Sequence, residues 1–120
     1  MNPKVMQWIT PANRWAKQTG VPAALILATI QQESGGSHLA KRYEPGYESK
    51  YNKRCWDIAR AANITTGEAA TSYGLMQLMV PTAWGYLSAV DKGSGVITAL
   101  LDPDKKHPLR SCAFGHEDRQ

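Results

Sequence analysis

The longest apolar run of the chain, Val21 to Ile30, leads directly into Gln31-Gln32-Glu33-Ser34-Gly35-Gly36, and this passage limits the fold more than any other. Pro22 stands where a first helical turn accepts proline, and the glycine pair stops a helix because glycine takes the left-handed conformation at little cost. The passage therefore predicts a helix from just after Pro22 to about Glu33. It is too short to cross a bilayer as a helix. Alternating strand patterns are nearly absent elsewhere, so the expected fold is mainly α. Glu33 falls in the last turn with apolar residues behind it. The negative end of the helix dipole and partial burial would both favour the neutral form of the acid. A carboxylic acid kept neutral near pH 7 is what a general acid requires. A solvated glutamate at a helix end is the plainer reading of the same residue.

At 120 residues the chain has room for a single domain, and its 42% hydrophobic content can supply a modest core. The 14 Lys and Arg exceed the 10 Asp and Glu by a net charge of +4, spread out apart from Lys50–Arg54 and Asp104–Arg110. This suits an anionic polymer such as a cell wall or nucleic acid, and is equally ordinary for a soluble protein. No basic stripe or aromatic ladder marks a nucleic-acid binder, so no nucleic-acid partner is expected. Cys55 and Cys112 have no metal-site spacing, and His38, His107 and His116 do not cluster with them. No metal and no cofactor are expected. The two cysteines can pair in an oxidising compartment or stay as free thiols. The N-terminus lacks the apolar core of a signal peptide; no membrane insertion is expected, and a monomer is.

Val5, Trp8, Ile9, Ala12, Trp15 and Ala16 fit one face of a helix over residues 3–18, with a kink or break at Pro11 and an end at Gly20. Residues 37–54 read as an irregular loop, Cys55 to Ala62 as a short helix, and Asn63 as a turn. A small hairpin is allowed near residues 64–73. Gly74-Leu75-Met76-Gln77 reads as the opening of a helix that continues through Pro81 to Leu87. Asp91 to Gly95 reads as a loop. Asp102 and Pro103 read as the N-cap and first position of a last helix.

Glu33-Ser34 at a helix end, then Gly74-Leu75-Met76-Gln77, then Leu101-Asp102-Pro103-Asp104, resemble the lytic transglycosylases (SLT domain) of the goose-type lysozyme-like fold. Arg42-Tyr43-Glu44-Pro45 is similar to the loop of phage-type members. The ordered set covers residues 19–104 and is far more specific than any one of its parts. The resemblance implies a lysozyme-like α domain that cleaves the β-1,4 bond between N-acetylmuramic acid and N-acetylglucosamine in peptidoglycan. It implies one carboxylate where ordinary glycosidases use two. Glu33 would protonate the leaving oxygen and then take the proton from the C6 hydroxyl as that oxygen attacks C1, giving a 1,6-anhydro sugar without water. It also implies action on the cell wall, in a phage virion or lysis protein or in a conjugation or secretion system.

On this resemblance the candidate substrate-binding residues are Ser34, Tyr43, Glu44, Tyr73, Gly74, Met76 and Gln77. The Ser34 hydroxyl could orient the acid, contact an N-acetyl group, or bond local backbone. Gln77 can donate and accept, so it can read an acetamido group. Met76 could line the sugar cleft or pack in the core, and Gly74 allows close backbone approach to a ligand. Tyr43, Tyr47 and Tyr73 are sugar-stacking platforms or packing residues. Glu44 is a binding residue or a second carboxylate; Glu48, Glu68 and Asp91 read mainly as solvated or capping acids, while Asp57 differs in sitting between Trp56 and Ile58 but has no second motif residue beside it. The chain departs from the family in lacking an Ala-Tyr-Asn-Ala-Gly helix, and residues 105–120 are atypical. A domain without the last family helices is therefore expected. The alternative functions are a muramidase that uses water and a remnant that binds glycan without cutting it.

Overall fold

The computed structural model describes residues 2–104, and of Ser94 the main chain only. The expected end helix, the atypical tail, Cys112, His107 and His116 lie outside the described residues. Within them the fold is mainly helical, with a small antiparallel sheet.

The first predicted helix is two helices, α1 (Pro3–Met6) and α2 (Ile9–Thr19). The break falls at Gln7-Trp8, before Pro11. Pro11 sits in the first turn of α2, where its missing N–H costs nothing. The Asn2 side chain accepts from the Val5 amide at 2.9 Å and starts α1. Gly20, at φ 79°, closes α2. Helix α3 (Ala23–Ser34) follows, with Pro22 immediately before it and Gly35 in the left-handed region behind it. It buries Ile26, Leu27 and Ile30, one stripe at helical spacing.

The predicted loop over 37–54 holds regular structure instead: strand β1 (Lys41–Tyr43), helix α4 (Pro45–Lys50) and the start of α5 (Asn52–Ala62). All of β1 is exposed, so no apolar alternation announced it. Pro45 occupies the first turn of α4 and opens that helix rather than breaking it. Helix α5 buries Cys55, Ile58 and Ala59 and ends on Asn63 at φ 56°. Thr65 and Glu68 then form a reciprocal capping box on α6 (Thr66–Ala69).

Strands β2 (Thr71–Tyr73) and β3 (Leu78–Met79) complete the sheet in the order β1-β2-β3, with Arg42 opposite Ser72 and Tyr73 opposite Leu78. Gly74 to Gln77 is thus the turn of a hairpin and not the opening of a helix. Gly74 and Gln77 both have positive φ, 80° and 52°, which a helix cannot use. After β3 come α7 (Val80–Ala83), a 3₁₀ turn (Trp84–Tyr86), α8 (Ala89–Ser94) and α9 (Val96–Leu101). Helix α8 replaces the loop expected over 91–95; the Ser88 hydroxyl caps it through the Asp91 amide. Asp102 is the C-cap of α9, and its carboxylate accepts from the Asp104 amide at 2.9 Å.

The buried side chains form two cores. One joins α1, α2 and α3 through Val5, Ala12, Trp15, Ile26 and Ile30, and receives Leu75 and Met76 from the hairpin turn. The other lies among α5, α7, α9 and the sheet, around Ile58, Tyr73, Leu78, Val80, Val96 and Leu100. The hairpin contributes to both.

Candidate active site

Helix α3 carries Glu33 in its last turn, and the helix stops there because Gly35 and Gly36 continue at φ 63° and 96°. The stripe of α3 that is buried faces the first core, so Glu33 itself is exposed. The apolar shielding of Glu33 expected from the sequence is not found: the residues behind it pack inward and leave its carboxylate in water. Ser34 is turned to its own backbone. Its hydroxyl donates to the Ile30 carbonyl at 3.1 Å and accepts from the Gly36 amide at 3.2 Å. Of the readings open for Ser34, local bonding is the one the geometry realises.

The loop that follows is tied down on both sides. A Cβ at Gly36 would lie 2.4 Å from the Lys4 carbonyl oxygen, so only glycine lets α1 approach so closely. The Trp8 indole N–H donates to the Gly36 carbonyl at 2.8 Å, and its ring stacks on Trp15 and meets His38 edge-on. At the far end of the loop the Ala40 carbonyl accepts twice, from the Gly74 amide at 2.8 Å and from Gln77 Nε2 at 3.2 Å. The segment leaving Glu33 is therefore fixed to the hairpin turn, while Leu75 and Met76 of that turn share a core with α3.

The structure redistributes the candidate residues of the turn. Gln77 Nε2 also donates to the Gly74 carbonyl at 3.0 Å, so its nitrogen is an internal staple. No described residue donates to its Oε1. Met76 is 3% exposed and belongs to the core, not to the wall of an open cleft. Tyr73 is equally buried, and its hydroxyl donates to the Glu68 carbonyl at 2.9 Å; burial pushes its phenol up from the ordinary value. Neither can stack on a sugar. Gly74 is buried, and the backbone it approaches is that of α9: a Cβ there would meet the Leu100 carbonyl oxygen at 2.6 Å. Its lack of a side chain serves that contact rather than a ligand.

Tyr43 is exposed on the edge strand and keeps a free face. Its hydroxyl donates to Glu48 Oε1, a pair that no sequence motif signalled. This bond, followed by one from Thr66, holds the Glu48 carboxyl below the usual range, and the same bond pushes the Tyr43 phenol up. A carboxyl lowered in the folded state adds stability that is present above its unfolded value and fades as pH falls through the lowered one. Tyr43→Phe is therefore expected to move the Glu48 titration, followed by side-chain carboxyl NMR, upward toward an ordinary glutamate. An unchanged titration would mean the bond is absent in solution. Glu44, half-buried, pairs with Arg42 Nε at 3.4 Å at the end of the same strand. Tyr47 is tilted against Tyr51 and packs on the second core.

Of the other acids, Asp57 pairs with Lys53 and Glu68 caps α6, as capping and surface acids do. Asp91 differs from its expected solvated loop position: it is 9% exposed within α8. Cys55 is a buried free thiol whose pKa is raised by that burial. Among the described residues, no group of three His, Cys, Asp or Glu could hold a metal ion. No described helix is long and apolar enough to cross a membrane. Two clefts of about 430 and 290 Å³ share Asn63 and Ile64 in their linings, and Glu33, Tyr43 and Gln77 line neither of them.

Residues 10–107 match the transglycosylase SLT domain. The match takes in all of α2 but its first residue, every later described helix, the sheet and the turn that holds Gln77, so the chain belongs to that family. Membership implies a lytic transglycosylase acting on peptidoglycan. Comparison with curated proteins and with solved structures returns no significant match.

Proposed function

We propose that the chain cleaves the bond between N-acetylmuramic acid and N-acetylglucosamine with Glu33 as its sole acid and base, and leaves a 1,6-anhydromuramoyl end. The observation that carries this reading is the family match over residues 10–107, within which Glu33 is the one carboxylate in the last turn of the α3 core helix. Glu33 donates its proton to the glycosidic oxygen as the bond from that oxygen to C1 breaks. The resulting carboxylate then accepts the proton of the C6 hydroxyl as O6 bonds to C1. Protons balance, and the acid is restored without water. The substrate's acetamido group supports the charge at C1 in place of a second carboxylate.

The exposure of Glu33 gives the glycan a direct part in this chemistry. A strand seated over the end of α3 removes water from the carboxyl, the condition under which a neutral acid is favoured. In this reading Gln77 Oε1, to which no described residue donates, accepts from an acetamido N–H, and the exposed ring of Tyr43 stacks on a sugar. The Arg42-Tyr43-Glu44-Pro45 loop supports placement among phage-type enzymes, in a virion or lysis protein.

Mass spectrometry of purified sacculi after digestion tests the reading. Anhydromuramoyl ends are the expected product. Reducing ends would mean that water attacks and that the chain is a muramidase. Retention on sacculi without turnover, unaltered by Glu33→Gln, would mean a binding module.

A further inference from the structure

A second surface has the chemistry of a saccharide site and lies apart from Glu33. Helix α5 presents Trp56 with 56% of its surface exposed, although an indole normally gains by burial. Beside it a cleft of about 430 Å³ is lined by Trp56, Arg60, Asn63, Ile64, Thr65 and Thr66. That volume lies within the roughly 300–1,000 Å³ of small-ligand sites. Asn63 and Ile64 also line a second cleft, of about 290 Å³, whose lining includes Gly95 and Thr98 at the start of α9.

We infer that the cleft beside Trp56, bounded by Arg60, Asn63 and Thr66, is a non-catalytic binding site for a second stretch of acetamido glycan strand. Three observations carry it. The indole is a flat apolar platform, and the C–H face of a pyranose is its natural complement. Around it stand exposed polar side chains: among the described residues nothing accepts a hydrogen bond from the Trp56 indole N–H, the Arg60 guanidinium or the Asn63 side-chain amide, and Arg60 also acts on the Asp57 carboxylate beside it. Being exposed, these donors are open to the hydroxyl and carbonyl oxygens of a saccharide. Finally, among the described residues that line the clefts, Arg60 is the single cation and none is a carboxylate. A phosphate-rich polymer would meet one positive group only, whereas a largely neutral glycan with an occasional lactyl or peptide carboxylate meets a matching surface.

The cleft belongs to the lobe built on α5 and α9, and Glu33 to the lobe built on α3. A long strand can therefore be held at Trp56 while the polymer is presented at Glu33, raising the local concentration of bonds to be cut. The inference rests on peptidoglycan as the substrate and not on which residue is the acid.

The test uses the full chain carrying Glu33→Gln, so that no strand is consumed, with chitotetraose as the soluble probe. In ¹⁵N NMR the indole resonance of Trp56 and the signals of Arg60 and Asn63 are expected to shift saturably. Trp56→Ala, checked for unchanged circular dichroism, is expected to abolish those shifts and to weaken retention on sacculi about tenfold, or about 1.4 kcal/mol. Signals that stay fixed at millimolar probe would overturn the inference, as would undiminished retention by Trp56→Ala. Self-association that Trp56→Ala abolishes, with no response to the sugar, would overturn it in favour of an interface between copies. If Glu33→Gln instead leaves turnover intact, the assignment of the acid fails and the Trp56 site stands.

Discussion

Glu33→Gln is expected to lower the rate of anhydromuramoyl formation from sacculi by at least about 10²–10⁴-fold, the contribution of a positioned acid–base group. The upper part of that span is the more apt under the proposed mechanism, in which one carboxyl would serve two successive proton transfers with no second acid to share the work. Stability should change by no more than about 0.5 kcal/mol, since an exposed side chain with no hydrogen bond to a described residue is being replaced by a near-isostere. The contrast between lost turnover and retained fold identifies a chemical role. Turnover within tenfold of the parent protein would remove Glu33 from the mechanism. Glu44→Gln serves as the comparison: as a residue of the β1 end that pairs with Arg42, it should alter sugar affinity rather than product.

Gly74→Ala carries the largest expected loss of stability, about 2–5 kcal/mol from left-handed strain together with overpacking. The backbone there is at φ 80°, and the added methyl would stand 2.6 Å from the Leu100 carbonyl oxygen. A flexible side chain could turn aside; a main-chain carbonyl in α9 cannot. Relief would require the turn to lift from α9, which would pull the Gly74 amide and Gln77 away from Ala40. In a chain of this length the thermal midpoint should fall by roughly 8–20 °C. Gly46→Ala is the control. It lies in α4 with nothing within 4 Å of the added methyl, so its midpoint should hold or rise slightly. If Gly74→Ala melted like Gly46→Ala, the close approach of turn and helix would be wrong.

The helices that buried a regular stripe were plain in the sequence. Ile26, Leu27 and Ile30 marked α3, Cys55, Ile58 and Ala59 marked α5, and Gly20, Gly35 and Asn63 ended their helices in the left-handed region. Legibility failed where the determinant was a distant partner. Strand β1 is exposed throughout and exists because β2 pairs with it. The turn at Gly74 to Gln77 has the apolar look of a helix because Leu75 and Met76 plug a core formed by residues far earlier in the chain. At the site, the position of Glu33 at a helix end could be read, but its exposure depended on which side of α3 the other helices cover. Tyr73 and Met76 looked like ligand residues because side-chain type records chemistry and not direction. Trp56 passed unnoticed in the same way: one tryptophan at helical spacing looks like core until its neighbours are known.

The two-residue bridge of Leu75 and Met76 has a consequence for how the molecule comes apart. Tyr73 and Leu78, on either side of it, are seated in the opposite core. A single rivet thus passes through both plates, and withdrawing it opens two seams at once. Cutting the chain anywhere in the hairpin would deprive each fragment of interior groups that the other holds, so neither half can be excised as an autonomous minimal enzyme, however complete its own helices.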